Sequence, residues 1–430
     1  MTKHGLISKR YFLSLILLLI VSSPVLSQTR EGMFPFHRTG ICVETNFTPS
    51  DTGYVCFISY RVPYDNLIFV KNGDRFSGGV TLDFELINGG QFVKRQTSSQ
   101  NVFVNSYDST LSSTDYLQGV LSIIIGKKDY VLNPFASLTN GERNIHLDSI
   151  KINQKEISQN NVLQPIVVVH DGASCSKEVL FQLVNFENTI PFSPSAVDLL
   201  VPVTDTSISK LDLEISQENK TVLKKTLTES VKDNFGFVDC SQHVVLERRT
   251  DRKLLKYFYL PDFNKELSEG PAKISITMGK DARAEFKTRV LWNDKPKSLI
   301  NPEFAIQYLE AIESADKIDY LLSKDKDEYY KALTEYWNAK YPDKTHAFNE
   351  LEFEFYQRVD YALRHFGSVA NKNGAKTDRG TTYIRYGQPD EIKRDYNNSN
   401  MAIEIWTYKR LNKEFLFTDK TGLGNYTLGE

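Results

Sequence analysis

From Gly40 to about residue 155 the apolar and polar positions alternate with period two. Tyr54, Cys56, Ile58 and Tyr60 share one face of a run, and Val80, Leu82, Phe84 and Leu86 alternate with Thr81, Asp83 and Glu85. Alternation of this kind predicts half-buried strands, and turn-forming clusters at 71–74, 88–90 and 126–129 separate the runs. An antiparallel sandwich of about seven or eight short strands follows. A second all-β stretch spans about 163–292, where Leu211, Leu213 and Ile215 alternate with Asp212 and Glu214. Between the two, residues 148–161 are polar and suit a linker, although Ile150, Ile152 and Ile157 equally fit a last strand.

After Lys295 the period changes. Asn301, Pro302 and Glu303 read as a helix start, with a side-chain acceptor at the N-cap, proline at N1 and an acid in the first turn. Helices are expected at about 302–314, 315–322, 327–341 and 346–366. In the last, Phe348, Leu351, Phe355, Val359, Leu363 and Phe366 form one stripe, while Glu354 with Arg358 and Asp360 with Arg364 make (i, i+4) pairs. Strand-like runs at 381–386, 402–408 and 414–418 close the chain. The fold class expected is therefore multidomain, with two all-β antiparallel (Ig-like) sandwiches followed by a C-terminal α+β domain whose helices pack on a small antiparallel sheet. The boundaries are a signal peptide at 1–27, sandwiches at 28–160 and 161–295, and the α+β domain at 296–430.

The signal peptide rests on Lys3, Lys9 and Arg10 before an apolar run of eleven residues, 11–21, then Pro24 and the small residues Val25 and Ser27 ahead of a cut near Gln28. As a helix that run rises only about 16 Å, short of a bilayer core. Cleavage leaves no transmembrane segment and predicts an exported protein, periplasmic or associated with the outer envelope. It also takes the formal charge from −2 to −5 by removing three cations. Such a balance provides no field for a polyanion, so nucleic acid is not the expected partner. Export makes the cysteines informative. Cys42 and Cys56 flank turn chemistry at 48–51, and a hairpin there would set them opposite each other for a disulfide, the alternative being two buried thiols. The state of Cys175 and Cys240 is left open.

Catalytic and metal motifs are weak. Cys240 and His243 form a CxxH without a second pair, and His170 with Cys175 has no orienting third group. GxSxG, HExxH and GxxxxGK are absent from the sequence. Gly422 and Gly424 suit a hairpin turn better than a phosphate cradle, and the basic cluster Arg248, Arg249, Arg252 and Lys253 suits solvated strand ends or an anionic glycan or lipid headgroup. Tyr329, Trp337 and Tyr341 fit a buried helical stripe. No cofactor or metal is expected.

One stretch carries a resemblance. The run GAKTDRGTTYIRYGQPDEI, preceded by NELEFEFYQRVDYALRHF and followed by IEIWTYKRLNKEFLFTDKTGLGNYTL, resembles the GWxTD domain of exported proteins in Bacteroidota and related bacteria, over about 302–428. Ala375 stands where the family has its Trp. The resemblance implies β-rich regions ahead of the domain, an envelope location and no established catalysis. Its motif positions here are Arg358, Gly374, Thr377, Asp378, Arg379, Gly380, Tyr386, Gly387, Pro389 and Asp390. Thr377 and Asp378 are natural caps, and Arg379 is a planar donor fork expected to pair with an acid such as Glu350 or Glu354. Read so, the motif braces the long helix, and the protein binds or positions an envelope protein or polymer, its oligomeric state undetermined. The competing reading is a hydrolase with Glu350, Glu354 and Asp378 as its acids, and a third is a glycan-binding sandwich.

Overall fold

The computed structural model describes residues 40–142, 144–170, 179–240, 242–250, 253–279 and 282–429. The expected signal peptide, Cys175 and Arg252 lie outside these residues. The alternating runs after Gly40 form a three-stranded antiparallel sheet, Cys42–Pro49, Gly53–Pro63 and Tyr116–Gly126, facing a six-stranded sheet centred on Arg75–Asn88. Val80, Leu82, Phe84 and Leu86 are the buried face of that central strand. Ile150–Ile152 pairs with Tyr130–Leu132, so part of the polar stretch is the last strand rather than a linker.

The Cys42–Cys56 disulfide is not formed. The hairpin exists, but its register places Cys42 opposite Arg61 and Cys56 opposite Phe47, and neither cysteine carries a disulfide. Five positions of offset separate the two Cα atoms by about 16 Å, against the roughly 7 Å limit for a bridge. Cys240, by contrast, is disulfide-bonded.

The second all-β region pairs a nine-stranded sheet with a five-stranded one. All six residues of Asp198–Val203 are buried because the larger sheet is covered on both sides. Leu199, Val201 and Val203 join the core shared with the five-stranded sheet, and Leu200 joins the core shared with the first sandwich. The two sandwiches are thus stacked through the three-stranded and nine-stranded sheets. Phe57 packs on Phe237 with ring centroids 5.0 Å apart, and the Arg61 guanidinium lies 4.1 Å from the Phe186 ring centre. Hydrogen bonds cross the joint as well: the Asn188 amide donates to Glu44 (2.7 Å), the Val120 amide to Asp239 (2.9 Å), and the Gln118 side chain bonds His243 Nδ1 (3.1 Å). Glu44, Asn46, Thr48 and Ser59 alternate like a wet face, yet this joint buries them all.

Phe192, Trp292 and Phe348, with centroids 5.1 to 5.3 Å apart, connect the second sandwich to the helical region. Asn301 caps Pro302–Tyr308 by accepting from the Glu303 and Phe304 amides, as its sequence predicts. Further helices run over Ala315–Leu322, Tyr329–Lys340 and Glu350–His365. Tyr329, Tyr336 and Trp337 are buried. Residues 381–386, expected as a strand, belong instead to a helix, Asp378–Tyr386. The β-branched run suggested a strand by propensity, but the Thr377 cap in front and Gly387 behind it (φ +79°) bracket a helix, and packing overrides propensity. Four antiparallel strands follow in sequence order, Glu391–Tyr396, Ala402–Tyr408, Lys413–Asp419 and Tyr426–Leu428. Trp406, Tyr408 and Phe417 are the buried residues of this sheet that join the helices in one core.

Candidate functional site

The motif builds a junction between the last two helices and the sheet. Gly374–Lys376 is a single 3-10 turn that delivers Thr377 to the helix start. There Thr377 Oγ1 donates to Gly374 O (2.8 Å) and accepts from the Gly380 amide (3.0 Å). Both glycines are required by close backbone approach. A Cβ on Gly374 would sit 2.1 Å from Ala362 O, and one on Gly380 would sit 1.9 Å from Gly374 O. Gly380→Ala is therefore expected to destabilise the C-terminal region by about 1–3 kcal/mol, read as a lowered urea midpoint, because only backbone movement relieves the overlap. Ala375, between the two glycines' contacts, is buried.

Each charged motif side chain has an assigned structural partner. Asp378 accepts from the Leu428 amide (2.7 Å), tying the helix start to the last strand. Arg358 is paired with Glu354, donates to Ile384 O (3.3 Å) at the end of the Asp378–Tyr386 helix, and lies against Gly387. Asp390 accepts from the Lys409 amide (2.7 Å), and Lys413 donates to the Tyr386 hydroxyl (3.2 Å). Pro389 is buried, and Glu350 stands exposed in the first turn of its helix, where Asn349 provides the cap. Asp360, expected to pair with Arg364, instead accepts from the Lys297 and Ser298 amides (2.6 and 2.8 Å).

Arg379 does not pair with Glu350 or Glu354. Its partner is Glu404, on the inward face of the Ala402–Tyr408 strand. Arg379 Nη1 lies 3.4 Å from one Glu404 oxygen, and Trp406 Nε1–H donates to the same oxygen at 3.1 Å. Arg394 Nε donates to the other at 2.9 Å. Arg379 also donates to Gly424 O (3.3 Å), with its guanidinium 4.1 Å from the Tyr426 ring centre and 5.4 Å from that of Phe366. Burial alone would raise the Glu404 pKa, but the bond from Arg394, the charge of Arg379 and the indole donor outweigh it and hold the carboxyl below its ordinary value. The signal that could have found this residue is an acid sharing a strand face with Trp406 and Tyr408. A lone carboxylate on an apolar face needs a cation. Nearby, Asp419 accepts from the Thr421, Gly422 and Gly424 amides, so the glycine turn cradles the chain's own carboxylate.

A second cluster, assembled from four separate segments, escaped sequence reading. Lys295 bonds Glu269 (2.8 Å), the Tyr330 hydroxyl donates to the same carboxylate (3.4 Å), and Glu352 lies within electrostatic reach of both charges. Burial pushes Glu352 up to about 8, with Lys295 opposing and Glu269 adding to the rise. Among the described residues no group of three or more His, Cys, Asp or Glu is arranged to hold a metal ion. His243 Nδ1 hydrogen-bonds the Gln118 and Gln182 amides, and Cys240 is committed to its disulfide, so the CxxH pair is structural. Arg248 and Lys253 of the basic cluster face Asp233 and Asp51. No described helix is long and apolar enough to cross a membrane.

Residues 278–428 match the family model of the GWxTD domain. No curated protein matches the chain. Among solved structures, a tandem pair of titin immunoglobulin domains is 10% identical, covering 58% of this chain and 95% of its own, with a TM-score of 0.14. A β-glycosidase from Bacteroides vulgatus is 8% identical, covering 58% and 24%, with a TM-score of 0.17. Neither likeness bears on function.

Proposed function

We propose, taking residues 278–428 as a GWxTD domain, that the chain is an exported, non-catalytic envelope protein whose two stacked sandwiches carry that domain to another envelope protein or polymer. The observation that carries this reading is the Glu404 clasp: the motif's guanidinium and its nearest acids hold helices to sheet instead of facing a cleft. Support for export comes from the N-terminal sequence and from the disulfide at Cys240, a bond that persists in oxidising compartments. For engagement the domain offers an aromatic stack, Tyr361 lying between His365 (4.1 Å) and Tyr383 (4.4 Å) with more than a third of its surface exposed. Capture from envelope extracts with the mature chain as bait tests it. Tyr361→Ala is expected to stay folded and lose the partner, and retention of every partner by that variant rejects the stack as the docking surface.

One observation favours an extracytoplasmic hydrolase as a second reading. Burial pushes the Glu352 carboxyl up to about 8, and the neighbouring Glu269 is bound to Lys295, so two carboxylates lie together in unlike surroundings, as in an acid–base pair. Turnover of glycosides or esters that disappears in a folded Glu352→Gln protein would establish it. The expectation under the binding reading is no turnover in either form.

A further inference from the structure

The C-terminal sheet has two edges, and they differ. The Tyr426–Leu428 edge is closed, since Asp378 accepts the Leu428 amide. Glu391–Tyr396 ends the strand order on the other side, and all six of its residues are exposed. Another long edge strand, Gln91–Val104, is bridged to the neighbouring sheet by Gln100 Nε2 donating to Gln118 O (3.1 Å) and by the Tyr60–Ser98 hydroxyl pair (2.7 Å). An open edge is a template for another strand.

The side chains say which strand. Directly opposed residues of an antiparallel pair share a face, so a two-fold axis through one residue fixes every partner. With the axis at Lys393, lysine would oppose lysine and Glu391 would oppose Asp395. With the axis at Arg394, Lys393 opposes Asp395 twice and Ile392 opposes Tyr396 twice. Ile392 and Tyr396 are 41% and 67% exposed and would bury each other. The central Arg394 already bonds Glu404 at 2.9 Å, a carboxylate it shares with Arg379, which reduces the like charge it would meet. An axis at Ile392 pairs Glu391 with Lys393 but sets Asp395 and Tyr396 against Pro389 and Gln388, outside the strand.

We infer that two copies of this chain associate through their Glu391–Tyr396 edges, antiparallel about Arg394, to make one continuous eight-stranded sheet. The occupant is a second copy because the charge pattern complements itself in this register. The dimer does not depend on the function proposed above.

Sedimentation of the mature chain over a concentration series is the test. A strand-edge contact is small, so the expected dimer is weak, with dissociation in the range of tens of micromolar. Lys393→Asp and Asp395→Lys each place like charges opposite one another and are expected to weaken it by about tenfold or more. The double variant K393D/D395K reverses both signs and should return the dissociation constant to within about threefold of the original. The rescue is specific to the Arg394 register, because an Ile392 axis would set both carboxylates of the Lys393→Asp change against Glu391. A monomer at every concentration up to about 200 µM, single variants without effect, or a double variant that stays dissociated would each overturn the inference.

Discussion

Glu404→Ala is expected to destabilise the C-terminal domain by about 3–5 kcal/mol, because it leaves Arg379, whose side chain is only 12% exposed, without its carboxylate. The readout is a separate, earlier unfolding transition of the domain, lowered by about 10 °C or more, with faster hydrogen exchange in the Asp378–Tyr386 helix. Arg394→Ala should lose about 1 kcal/mol or less, since that guanidinium is 73% exposed and screened by water. Removing both buried partners together, with Glu404→Leu and Arg379→Met, should recover much of the loss, since no uncompensated charge remains. A Glu404→Ala protein within about 1 kcal/mol of the original would mean the clasp braces nothing. The pH dependence has a definite sign. The folded carboxyl is held below its unfolded value of 4.5, so the contribution is present above that pH and is lost as the pH falls through the lowered folded pKa.

Local periodicity made much of the fold legible in the sequence. The alternating strands, the Asn301 cap and the stripe of Glu350–His365 are decided by contacts within a few residues. What stayed hidden depends on longer range. The turn of the Cys42–Pro49 hairpin is centred between Asp51 and Thr52 rather than at Pro49, and that shift moves Cys42 away from Cys56. Alternation divides a strand into two faces without saying that both are covered, so nothing local marks Glu44, Asn46 and Ser59 as buried beneath a second sandwich. The charges of the candidate site were visible as residues but not as pairs. Arg379, on a helix, meets an acid 25 positions away on the sheet, and Glu269, Lys295 and Glu352 converge only after domains pack.

Glu44→Gln should stabilise the chain, by an amount that grows with pH. Burial between the sandwiches pushes the Glu44 carboxyl up to about 8, against the stabilising Asn188 amide, and the charge of Glu187 adds to the rise. A carboxyl whose folded pKa is raised binds its proton more tightly folded than unfolded. Stability is therefore greatest below the unfolded value near 4.5 and declines as the pH rises towards 8. At pH 7 the original chain must protonate a group that is ionised when unfolded, a penalty of up to about 3 kcal/mol that glutamine does not incur. Glutamine keeps an acceptor for the Asn188 amide, so the joint's hydrogen bond survives. Urea unfolding at pH 5, 7 and 8 should show little gain at the first and the largest at the last. Glu352 has the same sign at the joint with the helical domain, so alkaline pH weakens both joints. Acid acts oppositely, through Glu404, inside the last domain. Parallel pH profiles for the original and Glu44→Gln chains would show that Glu44 is ionised where it lies, and that the joint between the sandwiches admits water to it.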